Sequence, residues 1–344
     1  MREFVIAGRP VGPDHPPLVI AEVGINHEGS LEKALLMVER AHEAGCECVK
    51  FQCHVIEDEM IPNDVVPGNA TESIWDIMKR CALTRDEERL VKQRVEELGM
   101  LYLCTPFSRA AADQLEQLGV AAYKIGSGEC NNYPLIRHIA NFGKPVILST
   151  GMNDLSSIRP AVDILEAAGT PVALLHCTSM YPTPYDKVRL GALASLRQAF
   201  PDVVLGLSDH SLGNYTCLAA VALGASILER HFTADKNWPG PDIPISMDPA
   251  ELRDLITGSR AVFAALGGTK TILPEEQPTI DFAYASVVAI RDIAPGEALN
   301  SANIWVKRPG TGAILAAHYD ALIGRRAARH IPADTQLAWE DIDA

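Results

Sequence analysis

The sequence contains no apolar run of roughly 18 residues, so it offers no candidate membrane span. Its first residues, MREFVIAGRPVG, carry charge without a sustained apolar stretch or a small-residue cleavage site. A secretory leader is therefore not expected, and the reading is of a cytoplasmic protein. No CxxC or HExxH spacing occurs, which removes the usual signatures of zinc sites and redox pairs. The eight cysteines, at 46, 48, 53, 81, 104, 130, 177 and 217, are scattered through apolar contexts. They are expected to be reduced, buried thiols. Positive charge is also short: 30 Lys and Arg stand against 44 Asp and Glu, a net charge of −14. That balance argues against a nucleic-acid partner, which needs a basic stripe. It leaves room for a small anionic ligand held by a few local cations.

What remains is an ordinary globular composition, 47% hydrophobic and 22% charged, in a chain of 344 residues that can bury one large core and one small one. β-rich runs are expected at Leu18–Val23, Cys48–Gln52, Met100–Cys104, Ala121–Ile125, Pro145–Ser149, Val172–Cys177, Val203–Leu207 and Ile227–His231. Between most of them lie amphipathic stretches of helical length: Leu31–Ala44, Arg85–Leu98, Ala110–Leu118, Ser156–Ala168, Leu190–Phe200, Asn214–Leu223 and Pro249–Leu266. Strands alternating with helices imply a parallel sheet with right-handed crossovers. Eight such units predict a closed (β/α)8 TIM barrel over residues 1–266. Arg2–Ile6 and the turn at Gly8, Arg9 and Pro10 read as a hairpin under the barrel, and the long Gly/Pro-rich stretch before Ser73–Cys81 reads as a lid.

The pattern changes after Leu266. Residues 267–283 read as a linker, and residues 284–344 as a small β-rich module carrying a duplicated phrase. Arg291, Ile293, Leu299 and Ile304 align with Arg329, Ile331, Leu337 and Ile342 at a constant offset of 38 positions.

Polar residues gather at the strand ends. The first strand offers Glu22, with Asn26 and His27 beyond it. The second places Lys50 and Gln52 on one face by alternation. Thr105 ends the third; Lys124, Ser127 and Glu129 follow along the fourth. Ser149 ends the fifth, Ser179 and Tyr181 follow the sixth, Ser208 and His210 close the seventh, and Glu229 and His231 the eighth. Apolar layers belong mid-barrel, so polar groups collected at one end mark a site. Two lysines among hydroxyls make an anion cradle. Two histidines on neighbouring strands, with carboxylates and open positions, suit a divalent ion used as a Lewis acid. His176, inside an apolar run, reads as a hydrogen-bonded core histidine.

The ordered set AEVGINHEG, VKFQ, CTPFS, YKIGSGE, LSTGM, HCTSMYPTPY, GLSDHSLG, ERHFT and GPD resembles the N-acetylneuraminate (sialic acid) synthase family. KRPGTG resembles the antifreeze-like (SAF) domain that closes those enzymes. The resemblance implies condensation of phosphoenolpyruvate with an N-acyl amino sugar and water, giving a nonulosonic acid and phosphate. It implies that Lys50, Thr105, Lys124, Ser127, Ser149 and Ser208 hold phosphoenolpyruvate, and that His210 and His231 bind manganese, or magnesium or cobalt. Gln52, Ser179, Tyr181 and Asp242 would lie on the sugar side, with Glu22, Glu129 and Glu229 as acid/base carboxylates and Asp242 beside them. Arg308 would be delivered into a partner's barrel within a domain-swapped homodimer.

The chain departs from the family pattern at Ser179, at Ile243 and at Ala283–Ser286. These departures leave the acceptor open between N-acetylmannosamine, a phosphorylated form and a diacetamido-trideoxyhexose. The competing reading is a Schiff-base aldolase of 2-keto sugar acids using Lys50 or Lys124.

Overall fold

The computed structural model describes residues 3–343, which form two compact units divided between Gly267 and Gly268. Arg2 and Ala344, at the edges of the expected hairpin and small module, lie outside the described residues.

The first unit opens with β1 (Phe4–Ile6) and β2 (Arg9–Val11), an antiparallel hairpin turned by Ala7 and Gly8, both at positive φ. Eight parallel strands follow: β3 (Leu18–Gly24), β4 (Cys48–Cys53), β5 (Leu101–Pro106), β6 (Tyr123–Ile125), β7 (Val146–Ser149), β8 (Val172–Cys177), β9 (Val204–Asp209) and β10 (Ile227–His231). Their order, β5-β4-β3-β10-β9-β8-β7-β6, ends on two strands consecutive in sequence. The sheet thus curls round to a nearly closed barrel, the (β/α)8 architecture.

Alternation sorts the side chains. Val49, Phe51 and Cys53 of β4 join the layer between strands and helices, while Lys50 and Gln52 face inward. The lower interior is filled by Leu18, Ile20, Leu103, Ile147, Leu175 and Ile227, and Phe4, Ile6 and Val11 of the hairpin pack into the same cluster. The hairpin therefore plugs the amino-terminal end of the barrel. Gly206 in β9 is required there, because a Cβ would stand 2.5 Å from both the Ile227 carbonyl and a Leu175 methyl.

The helices start where the caps dictate. The Thr84 and Glu87 pair and the Asp248 and Glu251 pair close capping boxes before Arg85–Glu97 and Pro249–Ala265. The longest described helix without a counterpart in the sequence reading is Tyr133–Ala140, started by Asn132, whose side chain accepts from the Leu135 amide. It is only 8 residues long and has Pro in its first turn, which shortens the periodic signal below what a sequence window resolves. No helix among the described residues is long and apolar enough to cross a membrane. All eight cysteines are free and buried.

The second unit is small, with its own core of Val287, Ile293, Leu299, Ile304, Ile331 and Leu337 among others. The stretch read as a linker holds a helix, Gln277–Ala283. β11 (Ser286–Ala289) pairs antiparallel with β12 (Ile304–Lys307). The duplicated phrase is a structural duplication too. Ile293 N donates to Ile331 O at 2.9 Å and Ile331 N returns the bond to Ile293 O at 3.0 Å. The bridges Val288 to Gln336 and Ala298 to Arg326 exchange places under the same offset, as do the bonds Leu299 N to Arg325 O and Leu337 N to Val287 O. Two similar phrases thus complete each other about an internal two-fold axis. This is the compact pseudo-symmetric module that the spacing implies, although its strands are short and most pairing is by single bridges.

Candidate active site

A cavity of about 310 Å³ opens at the carboxyl ends of the barrel strands. Its walls include Glu22, Lys50, Gln52, Thr105, Lys124, Ser127, Ser149, Ser179, Tyr181, Ser208, His210, Glu229 and His231. Each sits on a barrel strand or just beyond its carboxyl end, so eight separate stretches of chain converge on one volume.

At the floor, Lys50 Nζ lies 2.8 Å from Glu22 Oε2 and 3.7 Å from Glu229 Oε1. Lys124 Nζ lies 3.6 Å from the same Glu229 oxygen. Hydroxyls complete the cluster: Lys50 Nζ donates to Thr105 Oγ1 at 3.1 Å, Lys124 Nζ to Ser149 Oγ at 2.7 Å, and Ser208 Oγ to Glu229 Oε1 at 3.2 Å. All four charged groups are buried, so their charges are poorly screened and strongly felt. The two carboxylates are driven apart. Burial raises Glu22 above the usual carboxylate range, with Lys50 opposing. Burial pushes Glu229 the same way, but Lys124 and Lys50 outweigh it and hold Glu229 low. The lysines diverge as well: burial draws Lys124 down, whereas at Lys50 burial is outweighed by Glu22 and Glu229 and the group rises. Glu229 Oε2 is buried without a hydrogen-bond partner, a vacant acceptor on the floor.

The histidines form the opposite wall. The rings of His210 and His231 are 5.4 Å apart between centroids, and Tyr181 stacks on His210 at 4.2 Å. His210 Nδ1 stands 3.0 Å from the Thr178 carbonyl, which places a proton on that nitrogen. Burial works against a charged His210, yet the Cys177 sulfur and that carbonyl outweigh it and bring the group up to about 9. His231 moves the other way, well below its usual value, through burial and the neighbouring His210. Its Nδ1 is buried with no hydrogen-bond partner. That vacant lone pair, beside a second imidazole, fits a divalent ion. Among the described residues no group of three or more His, Cys, Asp or Glu side chains gathers around one point, and His210 and His231 are the side chains that could hold such an ion.

Beside this cavity lies a second room of about 250 Å³, sharing Gln52, Phe107, Tyr181 and His231 with the first. Asp242 lines it, and burial raises its carboxyl to about 6 against the opposing charge of His210. Its other walls are largely apolar: Ile25, Pro67, Ile74, Ile77 and Met78.

Two sequence-derived candidates stand elsewhere. Glu129 does not line either room; it accepts from Asn132 Nδ2 at 2.5 Å, in the turn that starts the Tyr133–Ala140 helix. β6 ends at Ile125, and the 3-10 turn Ser127–Glu129 that follows carries Glu129 away from the strand direction. Arg308 is exposed on the second unit, before Pro309. Asn26 is buried and ties Phe232 O and Ser246 Oγ to the first loop, and His27 lines neither room. His176 is a core histidine, its Nε2 2.6 Å from Val188 O. The sequence reading missed Phe107, Met152 and Cys177 as cavity walls. Phe107 and Met152 stand one and three residues past the ends of β5 and β7, inside the CTPFS and LSTGM strings, where only the loop's path decides which way they point.

A barrel plugged at one end, with charged groups buried at the other and loops around them, defines a (β/α)8 enzyme. The chain belongs to the NeuB family, whose profile matches residues 37–271, and an SAF domain matches residues 284–343. It is 37% identical over 327 residues to the N,N'-diacetyllegionaminic acid synthase of Campylobacter jejuni, covering 92% of this chain and 97% of that protein. It is 34% identical over 306 residues to the human N-acetylneuraminate-9-phosphate synthase, covering 87% and 85%. Among solved structures, the N-acetylneuraminic acid synthetase of Leptospira borgpetersenii, in complex with citrate, superposes with a TM-score of 0.75 at 33% identity. That match covers 81% of this chain and 95% of that one.

Proposed function

We propose that the protein condenses phosphoenolpyruvate with an open-chain N-acyl amino sugar and water, giving a nonulosonic acid and phosphate. The observation that carries this reading is the floor of the cavity: two buried ammonium groups flanked by hydroxyls, with two carboxylates driven to opposite protonation tendencies. Lys50 and Lys124 neutralise the phosphate and carboxylate of the enol ether, and Thr105, Ser149 and Ser208 orient its oxygens. Ser127, at the rim, belongs to the same cradle. Glu229, held ionised, faces the positive charge that develops at C2 when C3 attacks the aldehyde. Glu22, raised, holds a proton more readily and exchanges it with the water that adds at C2. Glu129 takes no part in these steps. A manganese-type ion held by His210 and His231 would supply Lewis-acid polarisation of the acceptor's aldehyde.

Gln52, Tyr181 and Asp242 line the smaller room and hold the acceptor, with Ser179 at the edge of the floor cavity. No lysine or arginine is among the described residues lining that room, and its one carboxyl group is Asp242. A phosphorylated acceptor would meet acid without base there, so an uncharged sugar with an apolar far end fits best. Arg308 acts in trans, from the small unit of a second copy, in a domain-swapped homodimer.

The lowered Lys124 is the one feature that favours a Schiff-base aldolase. One assay separates the two. Phosphate release is measured with phosphoenolpyruvate and a panel of N-acetylmannosamine, its 6-phosphate and a diacetamido-trideoxyhexose, before and after chelation. Release that needs both reactants, falls on chelation and is weakest with the 6-phosphate is expected. Metal-indifferent turnover with borohydride trapping of pyruvate would replace the synthase reading with the aldolase.

A further inference from the structure

His54 lies just beyond the carboxyl end of β4, buried, and lines neither room. Strand alternation continued past Cys53 puts it on the same side as Lys50 and Gln52. Both of its ring nitrogens face oxygens: Nδ1 is 2.8 Å from Glu59 Oε2 and Nε2 is 3.1 Å from Gln52 Oε1. Carboxylate and amide oxygens only accept, so both contacts are satisfied when each ring nitrogen donates. The plane is fixed as well, because the ring stacks on Phe107 at 4.7 Å with 11° between planes. The Glu59 end is anchored in turn. It sits in the short helix Ile56–Glu59, whose Asp58 accepts from the Ala110 amide at 2.7 Å.

Gln52 has two ways to place its amide, and His54 selects between them. With Oε1 held by His54, Nε2 donates to Glu22 Oε1 at 3.0 Å. Turned over, the amide would set its oxygen against the Glu22 oxygen and its NH2 against an N–H of His54. Both contacts would be repulsive while Glu22 is ionised and His54 Nε2 carries its hydrogen.

We infer that His54 is a positioning residue for the acceptor side of the site, acting by locking the Gln52 amide with its NH2 toward Glu22. The inference rests on the reading above, in which Gln52 contacts the acceptor. The Glu59, His54, Gln52 and Glu22 series then sets which face of the amide, donor or acceptor, meets the sugar. His54 never touches it.

The test is a double-mutant cycle in the full-length protein. His54→Phe keeps the stack on Phe107 and removes both N–H groups; His54→Gln restores one donor. The acceptor KM of His54→Phe is expected to rise about tenfold, with the phosphoenolpyruvate KM within about twofold, and His54→Gln to recover part of the loss. In the double variant His54→Phe/Gln52→Ala, the acceptor KM should be no worse than in Gln52→Ala alone, because His54 acts through Gln52. Additive effects, or equal changes in both KM values, would overturn the inference while leaving the synthase reading intact. A second readout needs no turnover. In protein labelled with 15N-glutamine, the side-chain amide pair lost in Gln52→Ala should shift in His54→Phe and return toward its place in His54→Gln. An unmoved pair overturns the inference even if no sugar is ever turned over or the kinetic variants prove unstable.

Discussion

At the scale of single residues, the site works by making like groups unlike. Glu22 and Glu229 are both buried at the barrel floor, yet one is raised and the other held low, because Glu229 is shared by two ammonium groups. A similar logic gives a stability prediction away from the chemistry. His27 is buried, and burial lowers it to about 4, with His54 adding to the shift. The unfolded chain therefore binds a proton near the usual histidine value of 6.5 that the folded chain takes up only near 4. The stability this contributes is whole above about 6.5 and is lost as pH falls through about 4. Denaturant unfolding between pH 7 and pH 4 should show wild type losing about 2–3 kcal/mol more than His27→Gln. Equal losses would mean that His27 titrates normally in the fold. Lys50, Lys124, Glu229 and the two histidines were legible because strand alternation alone sends them inward. Glu129 was grouped with the site from its place in the YKIGSGE string, and the 3-10 turn after β6 brings it to Asn132 instead. His54 was passed over because its significance lies in which partners it meets, and a sequence does not list partners.

Among the elements, the amino-terminal hairpin is the piece with the clearest independent role. Phe4, Ile6 and Val11 are buried against the lower barrel layer, at the end opposite the charged cavity. Truncating Ile6 to Ala should cost about 3 kcal/mol through lost burial and a residual cavity. Both KM values should stay unchanged, as read by thermal denaturation alongside steady-state kinetics. A kinetic change would mean that the plug and the site are coupled. The strands were readable within a residue or two because each is a short apolar run ending in a polar cluster. The Tyr133–Ala140 helix was not, because two turns carry too little periodicity to stand out beside a proline. Gly151 explains another part of what sequence withholds: a Cβ there would come within 2.4 Å of Ser179 Oγ and 2.9 Å of Ser127 Oγ. Those hydroxyls and that backbone occupy one tight corner of the cavity wall, and nothing in the LSTGM string announces it.

For the whole molecule, two units with separate cores raise the question of what the second contributes. Our proposal gives Arg308 to the neighbouring copy's site, and complementation tests it. Arg308→Ala and Lys124→Met variants should each be nearly inactive. Unfolded together and refolded, they should recover about a quarter of wild-type turnover, since half of the dimers are mixed and one site in each is intact. Activity that stays at background would put Arg308 in its own barrel, and an active Arg308→Ala variant would put it out of the reaction. The second unit's duplication was legible because its core positions repeat at a fixed interval. The exchange of hydrogen bonds that makes the two phrases one body lies between residues far apart in sequence, and only the structure pairs them.

The hairpin plug has a final consequence. A vessel sealed at the bottom has one doorway, and its deepest seats, at Lys50 and Lys124, are reached only through the space the sugar later fills. On the proposed reaction the enol phosphate would therefore enter first, and the inorganic phosphate it releases would wait behind the sugar-acid product. Inorganic phosphate should then compete with phosphoenolpyruvate for the empty enzyme and fail to compete with the acceptor.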